Sequence, residues 1–313
     1  MTEQAAATPA HGALRVTCPL ENVWIDIPVG PDRLYRRPLG AGMVLAKLNR
    51  RESDRVSRSL ANPYAGGWRI EMFGIESNDP SEVAEIVKRR FALLSCTQRL
   101  APTYHAVLDR YDADHGQWVR VVPLWGGAGA RQASLSDSRL DRWGELVAAW
   151  PVETGERIYI SLDFFRESII ERQSGSLPKA LLTLAVAFEA LIGDGLDGEI
   201  TYRLCQRASL LVTSGDNAVR TMARIKKLYG ARSRLVHDGK TPTLETVTHL
   251  QQYMMRAIPS LARLSEACGG IKPALTVLDR APFERDSRLD ALVALGEESW
   301  WSKVDVVTIP GWL

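Results

Sequence analysis

Long apolar runs are missing from this chain. Leu184 to Phe188 is typical of its longest stretches, far below the ~20 residues that a membrane-spanning helix needs, so no membrane partner is expected. Cysteine is scarce. Cys18, Cys96, Cys205 and Cys268 are scattered without C-x-x-C spacing, which argues against a zinc knuckle or a disulfide framework and fits a reducing cytoplasm. Met1 to Leu14 lacks a basic segment leading into an apolar one, so no secretory signal is expected. Excess charge of one sign is lacking too. The 39 Lys/Arg and 37 Asp/Glu leave a net charge of +2, so any claim on nucleic acid must rest on local charge. A phosphate-binding loop is also absent. The run Gly126-Gly127-Ala128-Gly129-Ala130 has no Gly-Lys-Ser/Thr ending and no G-x-G-x-x-G at a strand-to-helix junction, and it reads as a plain loop.

What is present is ordinary globular composition. With 45% hydrophobic and 24% charged residues over 313 positions, the chain is not disordered and has room for about two domains. Residues 1–14 read as a disordered lead-in. Residues 15–155 read as an α+β or β-rich domain, with strands at Val23–Ile27, Met43–Ala46, Trp68–Phe73 and Trp118–Val122. Ser81 is the expected N-cap of a helix whose buried face carries Val83, Ile86, Val87, Phe91 and Leu94. His105 and His115 lie near Asp109, Asp112 and Asp114. A polar hairpin turn at Asp112–Gly116 is preferred there over a divalent-metal site, and no metal or other cofactor is expected.

From residue 156 to 268 the pattern is all-α. Five amphipathic helices are expected at Tyr159–Gln173, Pro178–Ile192, Glu199–Val212, Asn217–Val236 and Thr243–Ala267, with possible breaks at Gly230 and Pro259. Short loops between them imply an antiparallel bundle. Residues 269–313 read as a tail docked through Trp300, Trp301 and Trp312. The fold class is therefore α+β, a mixed N-terminal domain followed by a helical bundle.

The bundle hides a charge asymmetry. Between Arg203 and Lys240 stand nine cations (Arg203, Arg207, Arg220, Arg224, Lys226, Lys227, Arg232, Arg234 and Lys240) against only Asp216 and Asp238. Such a surplus suits a polyanion, because neutralising phosphates releases their counterions; the bland alternative is a solvated helix surface. Within it, Arg232-Ser233-Arg234-Leu235-Val236-His237 pairs an arginine with a histidine. RNA can be cut without a metal when its own 2′-hydroxyl attacks the adjacent phosphorus. That step needs a group titrating near neutrality, the natural role of His, and a cation for the added phosphate charge, where the planar Arg fork excels. Five residues at about 100° each set the two side chains about 140° apart on an ideal helix. They converge if the helix end loosens at His237, if both face a shared groove, or if a symmetric dimer gathers two copies of each. The structural alternatives are a helix-terminal His237 favoured by the helix dipole, and an Arg232 ion-paired to Glu189 at the core edge.

Residues 158–264 resemble a HEPN domain of the ApeA-like group found in bacterial antiviral systems. Four segments carry the resemblance in order: Ile160–Phe165; Ala187–Ile192, similar to the family's hydrophobic-Glu-Ala-Leu helix; Glu199–Leu204 with Arg207-Ala208; and Ile225–His237, with the R-x4-6-H motif. Ser233 departs from the pattern, since a larger polar residue usually follows the motif arginine. The resemblance implies a bundle that dimerises with Arg232 and His237 of both subunits lining a cleft. It also implies a metal-independent endoribonuclease with a toxin or antiphage role, with a phage-derived trigger or a regulatory protein as the expected partner. Arg232 would bind the phosphate, His237 would move protons and Glu189 would hold them in place. Arg203, Arg207, Arg224, Lys226, Lys227, Arg234 and Lys240 are the expected RNA contacts. Other HEPN domains are non-catalytic dimerisation or nucleotide-binding modules, so that alternative stands beside the first.

Overall fold

The computed structural model describes residues 12–21, 23–25, 35–48, 67–99, 101–124, 133–151, 154–195, 199–212, 217–287 and 295. Residues 1–11 of the expected lead-in, the Gly126–Ala130 loop and the three C-terminal tryptophans lie outside the described residues; the end of the lead-in is corrected, since the Gly12 N–H donates to the Tyr111 carbonyl at 3.3 Å and Leu14 opens the first strand. The fold is α+β, an antiparallel sheet region followed by a helical region. By contact the chain divides into two compact units, Met1–Phe91 with Pro102–Ala148, and Ala92–Ala101 with Ala149–Leu313.

The first unit is built on a seven-stranded sheet. Its path runs β3 (Arg36–Gly40), β4 (Met43–Lys47), β5 (Trp68–Phe73), β1 (Leu14–Glu21), β7 (Ala106–Asp112), β8 (Gln117–Leu124), and β6 (Thr103–Tyr104) pairs with β1 off that path. All these pairings are antiparallel; β2 (Val23–Ile25) and β9 (Ala133–Leu135) form a separate parallel pair. The two-residue period of a strand explains the layers. On β1, Val16, Cys18 and Leu20 are buried with Ile70 and Met72 of β5, beside helix α1 (Pro80–Thr97) and helix α2 (Asp137–Ala148). Phe91 of α1 stacks on Tyr104 at 3.8 Å and tilts against Trp143 of α2 at 5.2 Å. Trp143 donates from Nε1 to the Arg90 carbonyl at 2.7 Å, which satisfies its only polar atom.

The expected cap of α1 is corrected by two residues. The Ser81 N–H donates to Asp79 Oδ1 at 2.9 Å, so Asp79 caps the helix, Pro80 is its first residue and Ser81 lies inside it. The Asp112–Gly116 turn joins β7 to β8 as expected, with His115 Nδ1 2.6 Å from Asp112 Oδ2. Among the described residues no group of three or more His, Cys, Asp and Glu could hold a metal.

The second unit holds helices α3 (Glu156–Gln173), α4 (Leu177–Ile192), α5 (Ile200–Val212), α6 (Asn217–Asp238), α7 (Leu244–Ala267) and α8 (Ile271–Arg280). Phe165 and Phe188 are fully buried between them with Leu184, Ile258 and Leu261. Buried Ser161 donates to the Ala187 carbonyl at 2.8 Å, and Gln251 donates to Ser168 at 3.1 Å, which ties α3 to α4 and to α7. Neither expected break occurs. α6 runs through Gly230 and α7 through Pro259, whose neighbours Ile258, Ser260 and Leu261 are all buried, so packing overrides the local preference. No helix of the described residues is long and apolar enough to cross a membrane.

Candidate functional site

Glu189 stands in the last turn of α4, and three separate devices fix that turn. Gly193 closes it, donating its N–H to the Glu189 carbonyl at 2.9 Å; an added Cβ would lie 2.5 Å from that oxygen, so glycine is required there. Arg157 of α3 donates from Nε to the Ala190 carbonyl at 3.2 Å and pairs with Asp194 at 2.7 Å. Arg207 of α5 donates from Nη1 to the carbonyls of Ile192 and Asp194. Two guanidiniums thus meet the carbonyls and negative dipole end that α4 leaves unsatisfied.

This overturns one expected RNA contact. Arg207 is only 2% exposed, and its remaining donors grip Asp279 of α8, Nε to Oδ1 at 2.8 Å and Nη2 to Oδ2 at 2.6 Å. With its fork engaged inside the bundle, Arg207 has nothing to offer a phosphate at the surface. Arg203 joins the same clamp, Nη2 to Asp279 Oδ2 at 2.7 Å, while remaining partly exposed. Burial alone would raise the Asp279 carboxyl, but the hydrogen bonds and charge of Arg207, with those of Arg203, hold it below the usual carboxylate range.

The expected pairing of Arg232 with Glu189 is present. Arg232 Nη2 lies 3.7 Å from Glu189 Oε1, with both side chains roughly half exposed. The same carboxylate oxygen accepts from the Tyr229 hydroxyl at 2.5 Å, a partner that the sequence reading missed. Tyr229 sits one turn before Arg232 on α6, and its ring packs edge-on against Phe188 at 6.1 Å. Burial and the Glu189 bond both push the Tyr229 hydroxyl pKa up, so it is a neutral donor at physiological pH. The signal was available: a tyrosine three residues before the motif arginine shares its helix face.

His237 is placed elsewhere. α6 stays helical through Asp238, so its end does not loosen at His237 as one expected route to convergence required. Gly239, in the left-handed region at φ 65°, then ends the helix, its N–H donating to the Leu235 carbonyl at 3.2 Å. At about 100° per residue, His237 aligns with Lys226, Gly230 and Ser233, and about 140° from Arg232. It is exposed and makes no hydrogen bond or ion pair among the described residues. The next stripe round α6 carries Arg220, Arg224, Lys227 and Arg234; of the remaining expected contacts, Lys226, Lys227, Arg234 and Lys240 are exposed and Arg224 is half-buried. Lys240 lies 3.7 Å from Asp238. The described cations of α6 number six against a single acid, Asp238. Within one chain the geometry thus gathers Glu189, Tyr229 and Arg232 into one cluster and leaves His237 on a neighbouring cationic face.

Comparison of the chain with protein-family models, curated proteins and solved structures finds no match.

Proposed function

We propose that the chain is a HEPN-type endoribonuclease that cuts RNA by attack of the substrate's own 2′-hydroxyl, and that it serves as a cytoplasmic toxin or antiphage effector. One observation carries the reading: Arg232, held by Glu189, shares the most cationic helix of the bundle with an exposed His237 that has no partner among the described residues. In this reading Arg232 binds the non-bridging phosphate oxygens and offsets the charge that builds as the 2′-oxygen bonds to phosphorus. His237 moves a proton, taking it from the 2′-hydroxyl or giving one to the departing 5′-oxygen. The new 2′-O–P bond and the broken P–O5′ bond leave a 2′,3′-cyclic phosphate and a 5′-hydroxyl. Glu189 and Tyr229 touch neither group of the substrate; they orient Arg232.

The separation of about 140° along α6 keeps one subunit from placing both side chains on one phosphate. A homodimer supplies the missing partner, since a two-fold axis near the end of α6 presents two arginines and two histidines to one groove. The surface we assign to it carries Ile160 and Phe164 of α3 and Leu182 and Val186 of α4, all exposed; the last two share their helix face with Glu189.

The test is incubation with mixed cellular RNA, with and without chelator, beside Arg232→Ala and His237→Ala. Wild type should release cyclic-phosphate ends in both conditions, and each substitution should slow cleavage by roughly 100-fold or more. Equal cutting by all three proteins rejects the assignment. The displacement of His237 from Arg232 favours a second reading, a dimeric HEPN module that binds RNA or a nucleotide without cutting it. Expression in cells separates the two. A nuclease should arrest growth and both substitutions relieve it, whereas a binding module should be indifferent to His237→Ala.

A further inference from the structure

The sheet of the first unit carries a cavity that the RNA chemistry does not use. Strand alternation that sends Val16 and Cys18 into the core brings Arg15 and Thr17 of central strand β1 onto the opposite face. Together with Glu71, Asp109, Trp118 and Arg120 from the flanking strands, they line a cavity of about 100 Å³. At about 30 Å³ per water molecule, that space admits roughly three waters or one tetrahedral oxyanion.

Its acids are already engaged. Glu71 is fully buried and accepts from Arg69 Nε at 2.9 Å and Arg36 Nη2 at 2.5 Å. Asp109 accepts from Arg15 Nη2 at 3.0 Å. Both carboxylates therefore already have cationic partners, and the guanidiniums of Arg15, Arg69 and Arg120 border the space beside them. Arg15 is held on two further sides, its guanidinium 4.5 Å above the Trp118 ring and beside the Asp109 carboxylate. It cannot turn its Nε–H to solvent without giving up both contacts, and its Nη1 lies 4.0 Å from Glu71. That donor, Nε, is buried without a hydrogen-bond partner, and so is Thr17 Oγ1, also on a cavity-lining residue. A buried donor left unmade is unfavourable, and two of them beside a guanidinium-lined space call for an acceptor.

We infer that this cavity binds a small oxyanion, accepted between the Arg15 Nε–H and the Thr17 hydroxyl, with the rest of any larger ligand extending past Trp118. Phosphoryl and carboxyl groups share that chemistry, and the probes separate them. Calorimetry of the full-length protein is run with inorganic phosphate and with acetate, each against chloride at constant ionic strength. At least one should bind saturably, and the one that does names the ligand's anionic group. Thr17→Val should weaken it roughly fivefold or more, and Arg15→Lys, which keeps the charge for Asp109 but removes Nε–H, by about tenfold. Lys226→Ala/Lys227→Ala on α6 should leave it unchanged. Circular dichroism checks folding, and Thr17→Val alone carries the test if Arg15→Lys does not fold. No saturable binding of either anion by wild type means that the cavity holds only water and overturns the inference. So does an affinity that survives the sheet substitutions or is lost with those on α6.

Discussion

Tyr229 shows how a single hydroxyl can matter more than its neighbours' charge. Glu189 is half exposed, and its pairing with Arg232 across 3.7 Å is a weak restraint on Arg232 unless the carboxylate is itself fixed. The Tyr229 bond at 2.5 Å is what holds the carboxylate in register. Tyr229→Phe is therefore expected to lower stability by about 1 kcal/mol in urea denaturation. If the nuclease reading holds, the same change should slow single-turnover RNA cleavage about tenfold with no effect on RNA affinity, the mark of lost positioning. The Glu189–Arg232 pair was legible in the sequence, because an arginine at a core edge seeks the nearest acid. Arg207 was not: a charge count treats every cation as surface, and nothing local in Arg-Ala-Ser-Leu says that this one lies among carbonyls and an aspartate 72 residues further on. An Arg at i and i+4 followed by a late, isolated Asp in an amphipathic segment is the trace that such a clamp leaves.

At the scale of elements, periodicity located the six long helices and several strands, because burial of one face imposes its period directly. It missed α2 and α8, both short, and it overrated Gly230 and Pro259 as breakers, because neither local bonds nor propensities report the packing that holds a helix through them. The α2–β3 crossing rests on a contact invisible to any pattern. A Cβ on Gly144 would lie 1.5 Å from the Leu39 carbonyl oxygen. Gly144→Ala should force the helix off the sheet and destabilise the first unit by about 3 kcal/mol or more, seen as a lower denaturation midpoint and faster proteolysis within residues 102–148. The Arg203/Arg207–Asp279 clamp gives a pH signature. Because the folded Asp279 carboxyl titrates below its unfolded value, its contribution is complete above about pH 4 and is lost as pH falls through the depressed folded value. Asp279→Asn should remove about 2 to 3 kcal/mol at neutral pH, a figure discounted for the partial exposure of Asp279, and should flatten the acid limb of stability against pH.

For the whole molecule, a net charge near zero conceals a bundle with one strongly cationic helix. If α6 is the RNA surface, affinity should fall steeply with salt, and Lys226→Ala/Lys227→Ala should reduce the log–log slope by about 1.4 for single-stranded RNA, measured by fluorescence anisotropy across a salt series. The proposed dimer belongs to this scale too. Phe164→Glu on the exposed α3–α4 surface should convert the protein to a monomer by light scattering and, where two subunits share one cleft, abolish cleavage with the fold intact. The clamp on Asp279 reaches further still. An expression fragment trimmed at Cys268, where the five-helix pattern ends, discards the carboxylate while keeping the guanidinium that it neutralises, and strips the bundle of the apolar face of α8, where Ala274, Leu275 and Leu278 are buried. Such a trimmed product should aggregate, and the shortest self-sufficient version of the helical half extends through Arg280.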